Sequence, residues 1–363
     1  MLTVGIVGLP MVGKTTIFNL LTGAGAHTSN FLTGKADTNV GMAQVPDPRL
    51  DFLARLYNPR RTVYAQIQCS DVPGLVRGAA QGQGVGNRFL DGVRKVDLLA
   101  HVLRVFANPD VPHVDGSINP LRDLETVQVE LLLADLELVE KRIERIKNGK
   151  KISKGAAREL PVLEKCLRAL ENEVPLQQLE LSGDERAALI NYDFLTAKPV
   201  LLVVNTDENQ FREKRYPGKE ELASLAAARD LALIEVCGRL EMEIALLEPE
   251  ERALFLADLG VRELGTARLV RAAYAQLGLI SFFTVGEDEV RAWTIRRGTT
   301  AKSAAGKVHS DMERGFIRAE VVNFNDLYAL GSMAKAKEKG LARLEGKDYL
   351  VEDGDIINFR FNV

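Results

Sequence analysis

Eight residues near the N-terminus, Gly8-Leu9-Pro10-Met11-Val12-Gly13-Lys14-Thr15, carry the spacing G-x-x-x-x-G-K-S/T. That spacing lets a short loop cradle the phosphates of ATP or GTP. Its glycines turn successive backbone N–H groups inward, onto phosphate oxygens. Lys14 places a positive charge at the β- and γ-phosphates, and the Thr15 hydroxyl is a ligand for Mg²⁺. Pro10, Met11 and Val12 complete the loop, and Thr16 lies in the first turn of a helix whose N-terminal dipole favours the same anion. A second group is Asp71-Val72-Pro73-Gly74. Its aspartate suits the metal's coordination shell and its Gly74 N–H suits the γ-phosphate. Six glycines between Gly74 and Gly92 make a stretch able to respond to the γ-phosphate. A third group, Asn205-Thr206-Asp207-Glu208, stands where GTPases carry N-K-x-D, whose aspartate takes two hydrogen bonds from guanine. Here Thr206 replaces the lysine and Glu208 is one methylene longer than the aspartate. Loss of the guanine fork removes strong discrimination and tilts the site toward ATP. Guanine reading by Asp207 or a shifted Glu208 stays open as the alternative.

Elements must bring these groups together. Leu2 to Val7 is an apolar strand running into the phosphate loop, and Thr15 to Leu21 reads as the helix after it. Val63, Ala65, Ile67 and Cys69 alternate with polar residues as a half-buried strand ending at Asp71. Leu98–Phe106, Pro199–Val204 and Leu231–Cys237 are further strands. Strands alternating with helices predict a doubly wound α/β sheet, with ligands at the strands' carboxyl ends. Gly8, Asp71, Asn205 and Cys237-Gly238 all fall at such ends.

Between Leu98–Phe106 and Pro199–Val204, Leu132, Leu136, Val139, Ile143 and Ile146 form one helical seam. Leu160, Leu163, Leu167, Leu170 and Val174 form another. The polar segment Asn148–Gly155 between them predicts an inserted antiparallel helical hairpin. From Leu279 onward short strands such as Val290–Ile295 and Ile356–Phe361 predict a small α+β domain. The expected division is 1–120 and 197–278 for the nucleotide-binding part, 121–196 for the hairpin and 279–363 for the C-terminal domain.

The 363 residues carry a formal net charge of −3, which excludes a globally basic nucleic-acid binder but not a local patch. Such a patch exists. Lys141 to Arg158 holds eight basic residues and one acid. Arg145, Lys147, Lys150, Lys151 and Lys154 cluster around the hairpin tip, an electrostatic footprint for a phosphate backbone such as ribosomal RNA. The domain from Ile280 holds 13 basic and 13 acidic residues, so bulk charge does not draw it to nucleic acid. Cys69, Cys166 and Cys237 form no C-x-x-C pair, and reduced thiols in a cytoplasmic, monomeric protein with no membrane partner are expected.

The segments GLPMVGKT, NVGMAQVPDPRL, DVPGLVRGAAQGQGVGNRFL, NTDE and EGKDYLVEDGDIINFRFNV together resemble the YchF/Obg-like ATPase family, over essentially the whole chain. The resemblance implies a GTPase-like P-loop domain, an inserted helical hairpin and a C-terminal TGS domain of β-grasp shape. It implies ATP preferred over GTP, Mg²⁺ as cofactor, and association with ribosomes in translation or stress responses. Leu75 follows the glycine of the second motif, where Ras-like GTPases carry a water-orienting glutamine, so slow turnover is expected, about 10⁻³ per second or less. His113, in His113-Val114-Asp115-Gly116, is a candidate to supply the missing polar group. The chain departs from the family at Met11, where most members have an asparagine that in related enzymes helps hold a monovalent cation. It departs again at Lys35, which stands where a metal-ligating switch threonine is usual; Thr33 or Thr38 are the alternatives. The competing functional readings are a translation or ribosome-assembly GTPase and a nucleotide-sensing scaffold with negligible hydrolysis.

Overall fold

The computed structural model describes residues 2–25, 39–75, 78, 85–149 and 153–362. Lys35, Thr33, Thr38, Lys150 and Lys151 lie outside them, as do residues 76–77 and 79–84 of the glycine-rich stretch. In chain order the first part holds β1 (Thr3–Val7), α1 (Lys14–Thr22), β2 (Asn39–Gln44), α2 (Pro48–Tyr57), β3 (Arg61–Val63), β4 (Gln66–Asp71), α3 (Val85–Arg94) and β5 (Leu98–Arg104). After it come α4 (Pro120–Lys147), α5 (Lys154–Glu171), α6 (Gly183–Ala188), β6 (Val200–Asn205), α7 (Glu208–Glu213), α8 (Lys219–Ala228), β7 (Ala232–Val236) and α9 (Gly238–Ala245). Contacts divide the chain into one unit of residues 1–42 and 68–269 and a second of residues 43–67 and 270–363.

The first unit is built on a sheet of order β2-β4-β1-β5-β6-β7. From β4 to β7 all neighbours are parallel. The buried strands explain the sequence pattern: all seven residues of β5 and all five of β1 are inaccessible, as strands covered on both faces require. The strand expected to run unbroken from Val63 to Asp71 is instead two strands. β3 pairs with a strand of the second unit and β4 pairs with β1. The chain passes from one unit to the other between them, so alternation of apolar residues across the break is coincidental.

The inserted hairpin is rooted in the sheet by one long helix. α4 starts at Asn119, whose side chain caps the Arg122 N–H, with Pro120 in the first turn. Leu124 in its first half packs against Leu103, Val105, Leu202 and Val204 of the sheet. Its second half pairs with α5 through Val139, Ile143, Ile146, Leu163 and Leu170, as the seams predict, and also through Val162 and Cys166. Twenty-eight residues give α4 a length of roughly 42 Å. The insertion closes on buried Asp135, which accepts from the Leu195 and Thr196 N–H groups and the Thr196 hydroxyl at 2.7–2.9 Å.

The second unit is a mixed six-stranded sheet joining β3 to β8 (Leu279–Thr284), β9 (Glu289–Arg296), β10 (Phe316–Asn323), β11 (Arg343–Glu345) and β12 (Asp355–Phe361), in the order β11-β10-β12-β8-β9-β3. β8 and β9 form an antiparallel hairpin, and β12 returns parallel beside β8. The helix Ala301–Val308 covers one face, placing Ala301, Ala304 and Ala305 against Phe282, Val321 and Phe359. This is the β-grasp arrangement. Segment 43–67, read in sequence as part of the nucleotide-binding region, packs in this unit: β3 adds to its edge beside β9, and Arg49 of α2 forks onto Asp353.

Candidate nucleotide-binding site

The phosphate loop spans the gap between β1 and α1 at the carboxyl edge of the sheet. Gly13 takes φ +95°, and a Cβ there would lie 2.3 Å from the Asn205 amide nitrogen. Only glycine allows both that backbone and that approach. Met11 also adopts a left-handed conformation, φ +64°, at a cost of about 1–2 kcal/mol for a residue with a Cβ.

Lys14 is buried, and its ammonium donates to the Leu9 carbonyl at 2.8 Å. Burial pushes its pKa from 10.5 down to about 8, with the Asp71 charge opposing the shift. Thr15 Oγ1 donates to Asp71 Oδ2 at 2.7 Å. Asp71 is itself buried, which raises its pKa, while the Thr15 hydroxyl and Lys14 charge lower it. The segment after β4 runs beside the loop, with Leu75 N donating to Gly8 O at 3.1 Å. Leu75 is buried and has no group to orient a water.

Asn205, a candidate nucleotide-binding residue, is a strut in this structure: Nδ2 donates to Val12 O at 3.0 Å and Oδ1 accepts from Gly238 N at 3.2 Å. One side chain therefore fixes the phosphate loop against the start of α9. Beyond it opens a cleft of about 710 Å³, lined by Met11, Gly13, Thr16, Thr206, Glu208 and Cys237 among others. Asp207 caps α7 in a reciprocal box with Gln210, and Glu208 takes a 3.0 Å bond from Arg212. Both carboxylates that could read guanine thus have partners within α7. Burial raises the Cys237 thiol to about 11, so it is an apolar wall. Pro10, Val12 and Gly238 do not line the cleft; Val12 and Gly238 act through the backbone, on Asn205.

His113 is not brought into this group. Its Nε2 bonds Asp123 Oδ2 at 2.9 Å and its Nδ1 accepts from Asp115 N at 3.1 Å. It does not line the cleft. Sequence reasoning missed Phe106, Asn108 and Arg239 of the lining; they come from a loop and a helix face that carry no motif. Part of the hairpin tip's positive charge is paired within the hairpin. Arg142 forks onto Glu159, Lys147 pairs with Glu164 and Lys141 with Glu137. Arg145, Lys154 and Arg158 are exposed and make no ion pair among the described residues.

A family model described as 50S ribosome-binding GTPase matches residues 3–141, and the YchF GTPase C-terminal family model matches residues 279–362. A Bacillus subtilis protein named ribosome-binding ATPase YchF is 47% identical over 100% of both chains. An Escherichia coli O157:H7 protein of the same name is 46% identical over 99% of each. The chain belongs to the YchF family. The solved structure of the Schizosaccharomyces pombe YchF GTPase superposes with a TM-score of 0.86 at 32% identity, covering 99% of this chain and 97% of that one. The YchF relationship therefore extends through both units and the hairpin, as the sequence resemblance implied.

Proposed function

We propose that this chain is a ribosome-binding ATPase that holds Mg²⁺-ATP in the cleft beside Asn205, hydrolyses it slowly and couples nucleotide state to ribosome contact. The observation that carries the nucleotide assignment is the convergence of Lys14, Thr15, Asp71 and Asn205 on one loop. Thr15 Oγ1 and Asp71 Oδ2, two hard oxygens 2.7 Å apart, fit Mg²⁺, whose preferred ligands are oxygens. Thr15 would ligate the ion and Asp71 would hold its shell; the ion supplies charge neutralisation at the β- and γ-phosphates. Lys14 turns from the Leu9 carbonyl to the phosphates. Gly74 N–H meets the γ-phosphate. The base lies between Met11 and the start of α7.

Preference for ATP is supported by the commitments of Asp207 and Glu208 within α7, because a guanine fork requires a free carboxylate. Both ring nitrogens of His113 are engaged, by Asp123 and by the Asp115 amide, so it must leave a partner and move to the cleft before it can act on water. Ribosome contact runs through the hairpin tip, chiefly Arg145 and Lys154, with Lys147 restrained by Glu164. The C-terminal β-grasp unit is a TGS module. The protein acts as a cytoplasmic monomer. Competition between ATP and GTP for the purified chain tests the assignment: ATP should displace a fluorescent nucleotide at lower concentration, and a clear GTP advantage would make it a translation GTPase instead.

A further inference from the structure

Arg104, the last residue of β5, is 2% exposed. Its guanidinium is buried beside the cleft, and no motif predicted it. Nε donates to Phe106 O at 3.0 Å, Nη1 to Met11 O at 3.3 Å and Nη2 to Val111 O at 2.8 Å. The cation also lies 4.5 Å from the centre of the Phe106 ring. Met11, Phe106 and Val111 all line the nucleotide cleft. Met11 belongs to the phosphate loop; Phe106 and Val111 belong to the loop leading to His113.

We infer that Arg104 is a positioning residue that locks the phosphate loop to the opposite wall of the nucleotide cleft, so that the two move as one body. This inference rests on the proposed nucleotide site and names a residue that sets its shape. Three carbonyls from two loops converge on one planar fork, a geometry that a lysine cannot reproduce. Hydrogen bonds from a charged donor are stronger than neutral ones. No carboxylate takes a hydrogen bond from this guanidinium among the described residues. Burial lowers its pKa, and the charge of Asp123 opposes that shift. The same Asp123 holds His113 and accepts from Arg122. Arg104 thus joins the carbonyl of left-handed Met11, the cleft wall and the electrostatic surroundings of His113. A shift of the phosphate loop at Met11 is transmitted two bonds away to Phe106 and Val111, and Val111 is two residues from His113.

Hydrogen exchange of the free full-length protein tests the lock without nucleotide. Arg104→Lys should raise exchange at least about tenfold in residues 11–13 and 106–111 together, while the β-grasp unit is unchanged. Acceleration in only one of the two segments, or in neither, overturns the inference. Affinity for Mg²⁺-ATP gives the functional readout. Arg104→Lys should weaken it about tenfold or more. Equal affinity of wild type and Arg104→Lys overturns it. Should Arg104→Lys not fold, nucleotide-free wild-type exchange decides: residues 11–13 and 106–111 should open with the same protection factor and the same denaturant dependence, and clearly different values for the two segments overturn the lock. Wild-type protein that fails to bind ATP refutes the nucleotide assignment, while the nucleotide-free exchange still judges the lock.

Discussion

Gly13→Ala is expected to abolish tight nucleotide binding, and the reason is local. The new methyl would sit 2.3 Å from Asn205 Nδ2 on a backbone at φ +95°. The backbone alone costs about 1–2 kcal/mol. Asn205 is buried, so relief of the clash must pull its amide from Val12 O and Gly238 N. Each lost neutral bond is worth about 1 kcal/mol, and leaving a buried partner unpaired raises the cost to about 1–3 kcal/mol. The sum is about 3–5 kcal/mol against the binding-competent loop, or on the order of 10²-fold or more in affinity. Calorimetric titration with Mg²⁺-ATP measures it, with thermal unfolding run alongside. The decisive comparison is the same substitution made in an Asn205→Ala background. There the clash is gone and only the backbone cost of about 1–2 kcal/mol should remain. Equal costs in the two backgrounds, within about 0.5 kcal/mol, would refute the strut role of Asn205.

Asp71→Asn should erase most of the Mg²⁺ enhancement of ATP affinity, seen as nearly equal binding with and without the metal. Lys14 has a folded-state pKa of about 8, below its ordinary 10.5, and bound phosphate favours its charged form. Binding should therefore take up a proton above about pH 8 and ATP affinity should fall as pH rises from there; calorimetry in buffers of different ionisation enthalpy reads the uptake, and none at pH 9 would contradict it. The same shift has a stability consequence. Between about pH 8 and 10.5 the unfolded chain binds more Lys14 protons than the folded one, so the free protein gains stability across that window. Reversing Arg145, Lys154 and Arg158 to Glu should weaken ribosome co-sedimentation and flatten its salt dependence, more than reversal of the paired Lys141, Arg142 and Lys147.

Much of the site was legible because its chemistry is carried by short motifs with fixed mechanics. The phosphate loop, Asp71 and the start of α9 sit at strand ends, where a parallel sheet gathers ligands. The hairpin was legible from its 3–4 spacing. What could not be read depends on contacts across the chain. Nothing in the sequence says that segment 43–67 leaves the nucleotide-binding unit, since β3 is only three residues long and its partner lies more than 200 residues away. The motif places Asn205 at the nucleotide site, but its two bonds to the Val12 carbonyl and the Gly238 N–H cannot be read from the motif alone. Arg104 closes a hydrophobic strand and looks like an ordinary strand end. The tip's formal charge overstated its free charge, because Glu159 and Glu164 on the facing helix answer Arg142 and Lys147.

The proposed function requires that this cleft bind and slowly cleave ATP in a protein that engages the ribosome. Steady-state turnover of ATP and of GTP by the full-length chain, each with and without purified ribosomes, tests it most directly. The expected result is slow, Mg²⁺-dependent hydrolysis of ATP exceeding that of GTP, changed by ribosomes and lost in Lys14→Ala. Hydrolysis of GTP in preference to ATP, or turnover that survives Lys14→Ala, would contradict it.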